Sequence, residues 1–180
     1  PCQELPVIST FGFPSPWKNI AGVVNMMNEE FEEATFRLNF APASHQGGTV
    51  LHERQIAAAR ELEAIAKYGI HIQVTQHYKT DDELINWLAQ SDLNVFLSYP
   101  ERGIQTGGAL LASADMAISA QRPLLVSDNV EARHLAGCRD DNLSLKTAMQ
   151  NEHQVRWFYN TWSPQEFAIK FDEHVREYLS

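Results

Sequence analysis

The chain has 180 residues, 44% of them apolar, which suits one domain or one large half of a two-domain enzyme with an ordinary core. Fourteen basic against twenty-three acidic residues leave a net charge of −9. That balance excludes non-specific binding to nucleic acid, which needs a basic face to release counterions.

Two cysteines, Cys2 and Cys138, make no disulfide framework and read as free thiols in a reducing compartment. No apolar run approaches the roughly 20 residues of a membrane span. The start, Pro1-Cys2-Gln3-Glu4, has neither the basic nor the apolar segment of a signal peptide. It also lacks an initiator Met, so the expectation is a processed or cut chain with a further domain before it.

In chain order, Leu5 to Phe11 reads as a short buried strand stopped by Gly12. Ser15-Pro16 looks like an N-cap with Pro at the first helical position, and Ile20, Val23, Val24 and Met27 recur at helical spacing. Glu29, Glu30, Glu32 and Glu33 read as a solvated face. Thr35 to Phe40 alternates as a second strand, and Pro42 and a polar loop from Ser44 to Gly48 follow. Val50 to Tyr68 reads as a helix with Gly69 as its left-handed terminator. Ile70 to Val74 alternates as a third strand. Thr80 and Glu83 form a capping-box pattern for the next helix.

Leu93 to Leu97 is a near-continuous apolar run, as in a strand covered on both faces. A polar loop with three glycines follows, then a helix from Gly107 to Ala120. Pro123 to Val126 is the fifth strand. Val130 to Leu135 reads as a short helix, and Arg139 to Asn142 as a turn. Lys146 to Thr161 reads as one helix, and Ser163-Pro164-Gln165-Glu166 opens a last amphipathic one. Strands alternating with helices imply an α/β fold, a doubly wound Rossmann-like parallel sheet with helices on both faces. Ligands bind such sheets beyond the carboxyl ends of the strands.

The loops at those ends supply the candidate chemistry. Gly12 to Lys18 offers an ammonium for a diphosphate, or an ordinary solvated lysine. Glu101 can accept from sugar hydroxyls; a lone loop Glu more often pairs with a neighbour such as Arg102 or faces water. Thr106, Gly107 and Gly108 stand at a helix start, where unpaired amides and the dipole favour a phosphate. The alternative is a turn that only needs positive φ. Neither a Walker motif nor the full dinucleotide glycine pattern is present, so ATP hydrolysis and NAD binding are not supported.

Asp115, about two turns into the following helix, can reach a ribose, although spacing alone favours a surface role. None of the seven histidines has a metal-ligand spacing, so no metal site is expected. His71 reads as structural. His77, beside Tyr78 at a strand end, can line a base or sugar pocket, and His45 is a weaker candidate. Trp157, Phe158, Tyr159 and Trp162 read as core packing rather than a stacking platform.

The ordered series of Gly12 and Lys18, the helix Asp82 to Leu93, and Ser98 to Gly103 resembles the C-terminal, nucleotide-sugar-binding half of GT-B fold glycosyltransferases, the group 1 transferases. The likeness runs from about Pro6 to Leu135. It implies one Rossmann-like donor-binding domain over 1–180, with closing helices from about 146 and a preceding acceptor-binding domain outside this chain. It implies retaining hexosyl transfer from a UDP- or GDP-sugar, with no cofactor or metal required.

Lys18 then takes the phosphate-binding lysine's place and Glu101 that of the first acid, which contacts the donor sugar; these two are the catalytic candidates. The family's Arg after the glycine is replaced by Phe13. Its second acid falls at Ala109 by strict spacing, with Asp115 the nearest acid for the ribose and Met116 an equal alignment. Gly12, Lys18, His77, Thr106, Gly107, Gly108 and Asp115 make up the donor-binding set. The likeness also implies an incomplete, inactive isolated piece in the cytoplasm, at most peripheral at a membrane's inner face through the preceding domain. Two other readings stay open: half of a GT-B sugar-nucleotide epimerase, with His77 as acid–base residue, and a degenerate transferase domain serving as an interaction module.

Overall fold

The computed structural model describes residues 5–12, 18–40, 48–98, 112–127, 135, 138, 144–151 and 153–179. Five strands, β1 (Val7–Phe11), β2 (Ala34–Asn39), β3 (Ile70–Thr75), β4 (Leu93–Phe96) and β5 (Leu124–Val126), form one parallel sheet in the order β3-β2-β1-β4-β5. The chain winds outward from β1 to β3, then returns to lay β4 on the other side of β1. The fold is therefore the α/β Rossmann-like one expected, and its switch point lies between β1 and β4.

Helices α1 (Ile20–Glu30), α2 (Gly48–Ile65) and α5 (Leu145–Gln150) lie on one face, α3 (Asp81–Ala89) and α4 (Ala112–Ile118) on the other. Each face has its own core. Ile8, Phe36, Leu38, Phe40, Leu93, Val95 and Leu125 point to the first; Phe96, Leu124 and Val126 meet Leu88, Ala114 and Ile118 in the second. This is the period-two rule on strands covered from both sides. Each fully buried Phe or Leu contributes about 1.5–3 kcal/mol. Strand β3 is an edge strand and alternates, with His71 and Gln73 exposed.

Polar residues line the seam between the two halves of the sheet. Ser9 and Ser91, both buried, share a hydroxyl hydrogen bond of 2.5 Å. Asn94 pairs in register with Ser9, and its Oδ1 is buried with no partner. Cys138 is buried in the second core, and burial pushes its thiol up to about 12, so it is inert near neutral pH.

Several elements depart from the sequence expectations. Helix α1 starts at Ile20, because Asn19 is left-handed (φ 39°) and bars an unbroken helix from Pro16. Helix α2 ends at Ile65, where the Asn28 amide donates to the Ile65 carbonyl and accepts from the Lys67 N–H. Gly69 is left-handed as expected, and the Glu32 carbonyl oxygen occupies the place a Cβ would need.

The stretch read as one helix from Lys146 to Thr161 is two, α5 and α6 (His153–Trp162), parted at Asn151. Glu30 is not on a solvated face. Its carboxylate accepts from the Ser144 hydroxyl (3.0 Å), the Leu145 N–H (2.9 Å) and the Lys146 N–H (2.9 Å), capping α5 from the end of α1. Thr80 and Glu83 cap α3 reciprocally, and Ser163 accepts from the Glu166 N–H at the start of α7 (Pro164–Leu179). The Ser15-Pro16 start, the loop around Ser44, the helix near Val130 and the turn at Arg139 lie outside the described residues.

Candidate functional site

The carboxyl end of β1 is shaped by Gly12. Its φ of 112° is a conformation that side chains resist, and its N–H donates to the Asn39 carbonyl at the end of β2 (3.0 Å). The space a Cβ would fill is taken by the Lys18 Nζ, with Ser113 Oγ 3.8 Å from the same point. Glycine is favoured here by that φ, and the lysine, a flexible side chain, folds back into the space that the missing Cβ leaves.

Lys18 donates to the Phe11 carbonyl at 3.3 Å, and no carboxylate among the described residues pairs with it. Burial pushes its pKa below the ordinary 10.5. The ammonium thus has one long backbone bond and two further N–H donors, on a side chain that is partly buried.

Neighbouring strand ends are tied by short polar side chains. The Ser127 hydroxyl accepts from the Ser98 N–H (3.0 Å) and lies 3.2 Å from the Ser98 hydroxyl, joining the ends of β4 and β5. Thr75 donates to Asn39 Oδ1 (2.9 Å) across β3 and β2. Phe11 and Phe96 meet edge to face at 5.4 Å on the α3–α4 side of the seam.

The structure brings Gly12 and Lys18 together and adds Ser113, which no sequence pattern singled out. Asp115 lies on the described part of α4 and is partly exposed, with interactions of its own. It stands two residues past Ser113, roughly 200° around the helix, so it does not share the face that meets Gly12. Met116, three residues past Ser113, packs against the second core. His77 is exposed beyond edge strand β3, about 10 Å of sheet away from β1 at ordinary strand spacing. Glu101, Thr106, Gly107, Gly108 and His45 lie outside the described residues.

Among the aromatics, Phe158 packs on the second core and Tyr159 donates to the Ile118 carbonyl (3.3 Å), while Trp157 is partly exposed. Among the described residues no cluster of His, Cys, Asp or Glu suits a metal ion, and no helix is long and apolar enough to cross a membrane.

No protein-family model and no curated protein sequence matches this chain. Solved structures do. An α,α-trehalose 6-phosphate synthase from Burkholderia multivorans superposes with a TM-score of 0.61 at 11% identity, over 97% of this chain and 43% of that one. AviGT4, a glycosyltransferase involved in avilamycin A biosynthesis, gives 0.58 at 12%, over 98% of this chain and 52% of that one. The N-terminal domain of a Candida albicans trehalose-6-phosphate phosphatase gives 0.59 at 11%, over 96% and 42%.

At such identity the likeness defines the fold, a Rossmann-like domain of the kind found in glycosyltransferases. The chain spans about half or less of each of these proteins.

Proposed function

We propose that this chain is the nucleotide-sugar-binding part of a glycosyltransferase. The observation that supports it most is Lys18: a partly buried ammonium with spare donors, folded back over Gly12 at the strand end beside the switch point. A desolvated cation without a carboxylate partner is costly unless an anion completes it. A diphosphate at this place would do so.

In this reading the donor is a UDP- or GDP-sugar. Lys18 stabilises the charge that grows on the leaving diphosphate, with the Thr106 to Gly108 amides as further donors. Ser113 offers a hydroxyl to the same phosphates. Glu101 orients the sugar and Asp115 or a residue near it the ribose, and transfer retains the anomeric configuration. The acceptor is bound by a domain outside this chain. Cations and amides neutralise the leaving group, so no divalent metal is needed.

Isothermal titration of the folded chain with UDP-, GDP- and ADP-sugars tests this. One of the first two should bind, and Lys18→Ala should weaken it by about tenfold or more, the worth of one charge-assisted contact. No heat at millimolar ligand, or unchanged affinity in Lys18→Ala, overturns the proposal.

A further inference from the structure

The opposite end of the sheet carries a second concavity. Residues 121–123, just before β5, and the outer side of α6 enclose an open cleft of about 510 Å³. That volume falls in the range of small-molecule sites. It lies at the amino ends of the strands, away from Gly12 and Lys18.

Its charge is unlike that of the molecule. In a chain of net charge −9, the cleft is lined, among the described residues, by two arginines, Arg122 and Arg156, and by no carboxylate. Neither guanidinium has an ion-pair partner among the described residues.

The Arg122 Nε donates to the Ala89 carbonyl at the end of α3 (2.7 Å). That bond holds the fork in place and leaves its terminal nitrogens for a ligand, so less side-chain freedom is lost on binding. The other carbonyl end that would repel an anion is also engaged: the Ile118 oxygen, at the end of α4, accepts from the Tyr159 hydroxyl and the Gln121 N–H.

Gln121 is left-handed at φ 54°, which a non-glycine residue adopts at some cost. It sets the chain direction that brings Arg122 to the cleft. Pro123 and Val155 add an apolar wall, and the Asn160 amide a further donor.

We propose that this cleft binds a small organic phosphate monoester, its phosphate on the Arg122 and Arg156 guanidiniums and its carbon body on Pro123 and Val155. The forked donors suit the oxygens of a phosphate, and the wall suits a short hydrocarbon or ring. The site is separate from the donor pocket proposed above, and the two stand or fall independently.

Amide NMR of the whole chain with phenyl phosphate, inorganic phosphate and benzoate tests it. Phenyl phosphate should give saturable shifts at Gln121, Arg156 and Asn160, binding more tightly than the other two. Arg156→Gln should weaken it about tenfold, as should Arg122→Gln. Because Arg122 also holds α3, Arg156→Gln, at an exposed helical position, is the variant that separates binding from folding.

Shifts that do not saturate by about 10 mM, shifts confined to Gly12 and Lys18, equal binding of benzoate, or unchanged affinity in Arg156→Gln each overturn the proposal.

Discussion

Lys18 brings a charged amine into a partly buried place, and the cost of that desolvation appears as its lowered pKa. Between that lowered value and 10.5, the unfolded chain holds a proton the native chain has shed, so this group's contribution to stability rises with pH. Below the window both states are protonated and the full cost remains. Lys18→Met should therefore raise the unliganded chain's melting temperature at pH 7 by about 2–4 °C, of order 1 kcal/mol. Urea unfolding from neutral pH towards 10 should show that advantage shrinking.

The Gly12 and Lys18 pair was legible because a glycine ending a strand and a lysine just beyond it are both visible in one dimension. Ser113 was not. A serine in an alanine-rich helix gives no sign of which side it presents, and the face is set by how α4 lies against β1. The same geometry separates Asp115 from Ser113, which spacing along the chain could not show.

Helices with local capping signals were read well. Thr80 and Glu83, and Ser163 before Pro164, announced the starts of α3 and α7, because a cap within three residues needs no tertiary partner. Helix α5 was misjudged for the opposite reason. Its cap comes partly from Glu30, 114 positions before Ser144, and that carboxylate holds the start while Asn151 ends the helix.

Three charge-assisted bonds converge on one side chain there, and Lys146 adds its ammonium 5.3 Å from the Phe31 ring. Glu30→Ala should cost about 1–3 kcal/mol in chemical denaturation. Glu29→Ala, by contrast, should stay within about 0.5 kcal/mol as an ordinary surface change. Equal effects would show that the acidic cluster acts only by its summed charge.

At the level of the whole molecule, the alternation of elements and the long apolar run at β4 were enough for the sheet, since a parallel strand covered on both faces has little room for polar residues. The polar seam of Ser9, Ser91 and Asn94 was hidden by those same runs. So was the arginine cleft, whose two arginines are 34 positions apart and line one cleft only because α6 lies beside residues 121–123.

The register pairs also differ in number. Strands β2 and β3 share six and β1 and β2 five, but β1 and β4 only two, Ile8 with Leu93 and Ser9 with Asn94. A lateral joint that narrow, with an unsatisfied amide oxygen inside it, is where the sheet should part first. Deuterium uptake should therefore reach the Asp92 and Ser9 amides well before those of Phe36 and Leu38. The native chain would then breathe as a three-strand block and a two-strand block, with the candidate phosphate cradle lying along the line of fracture.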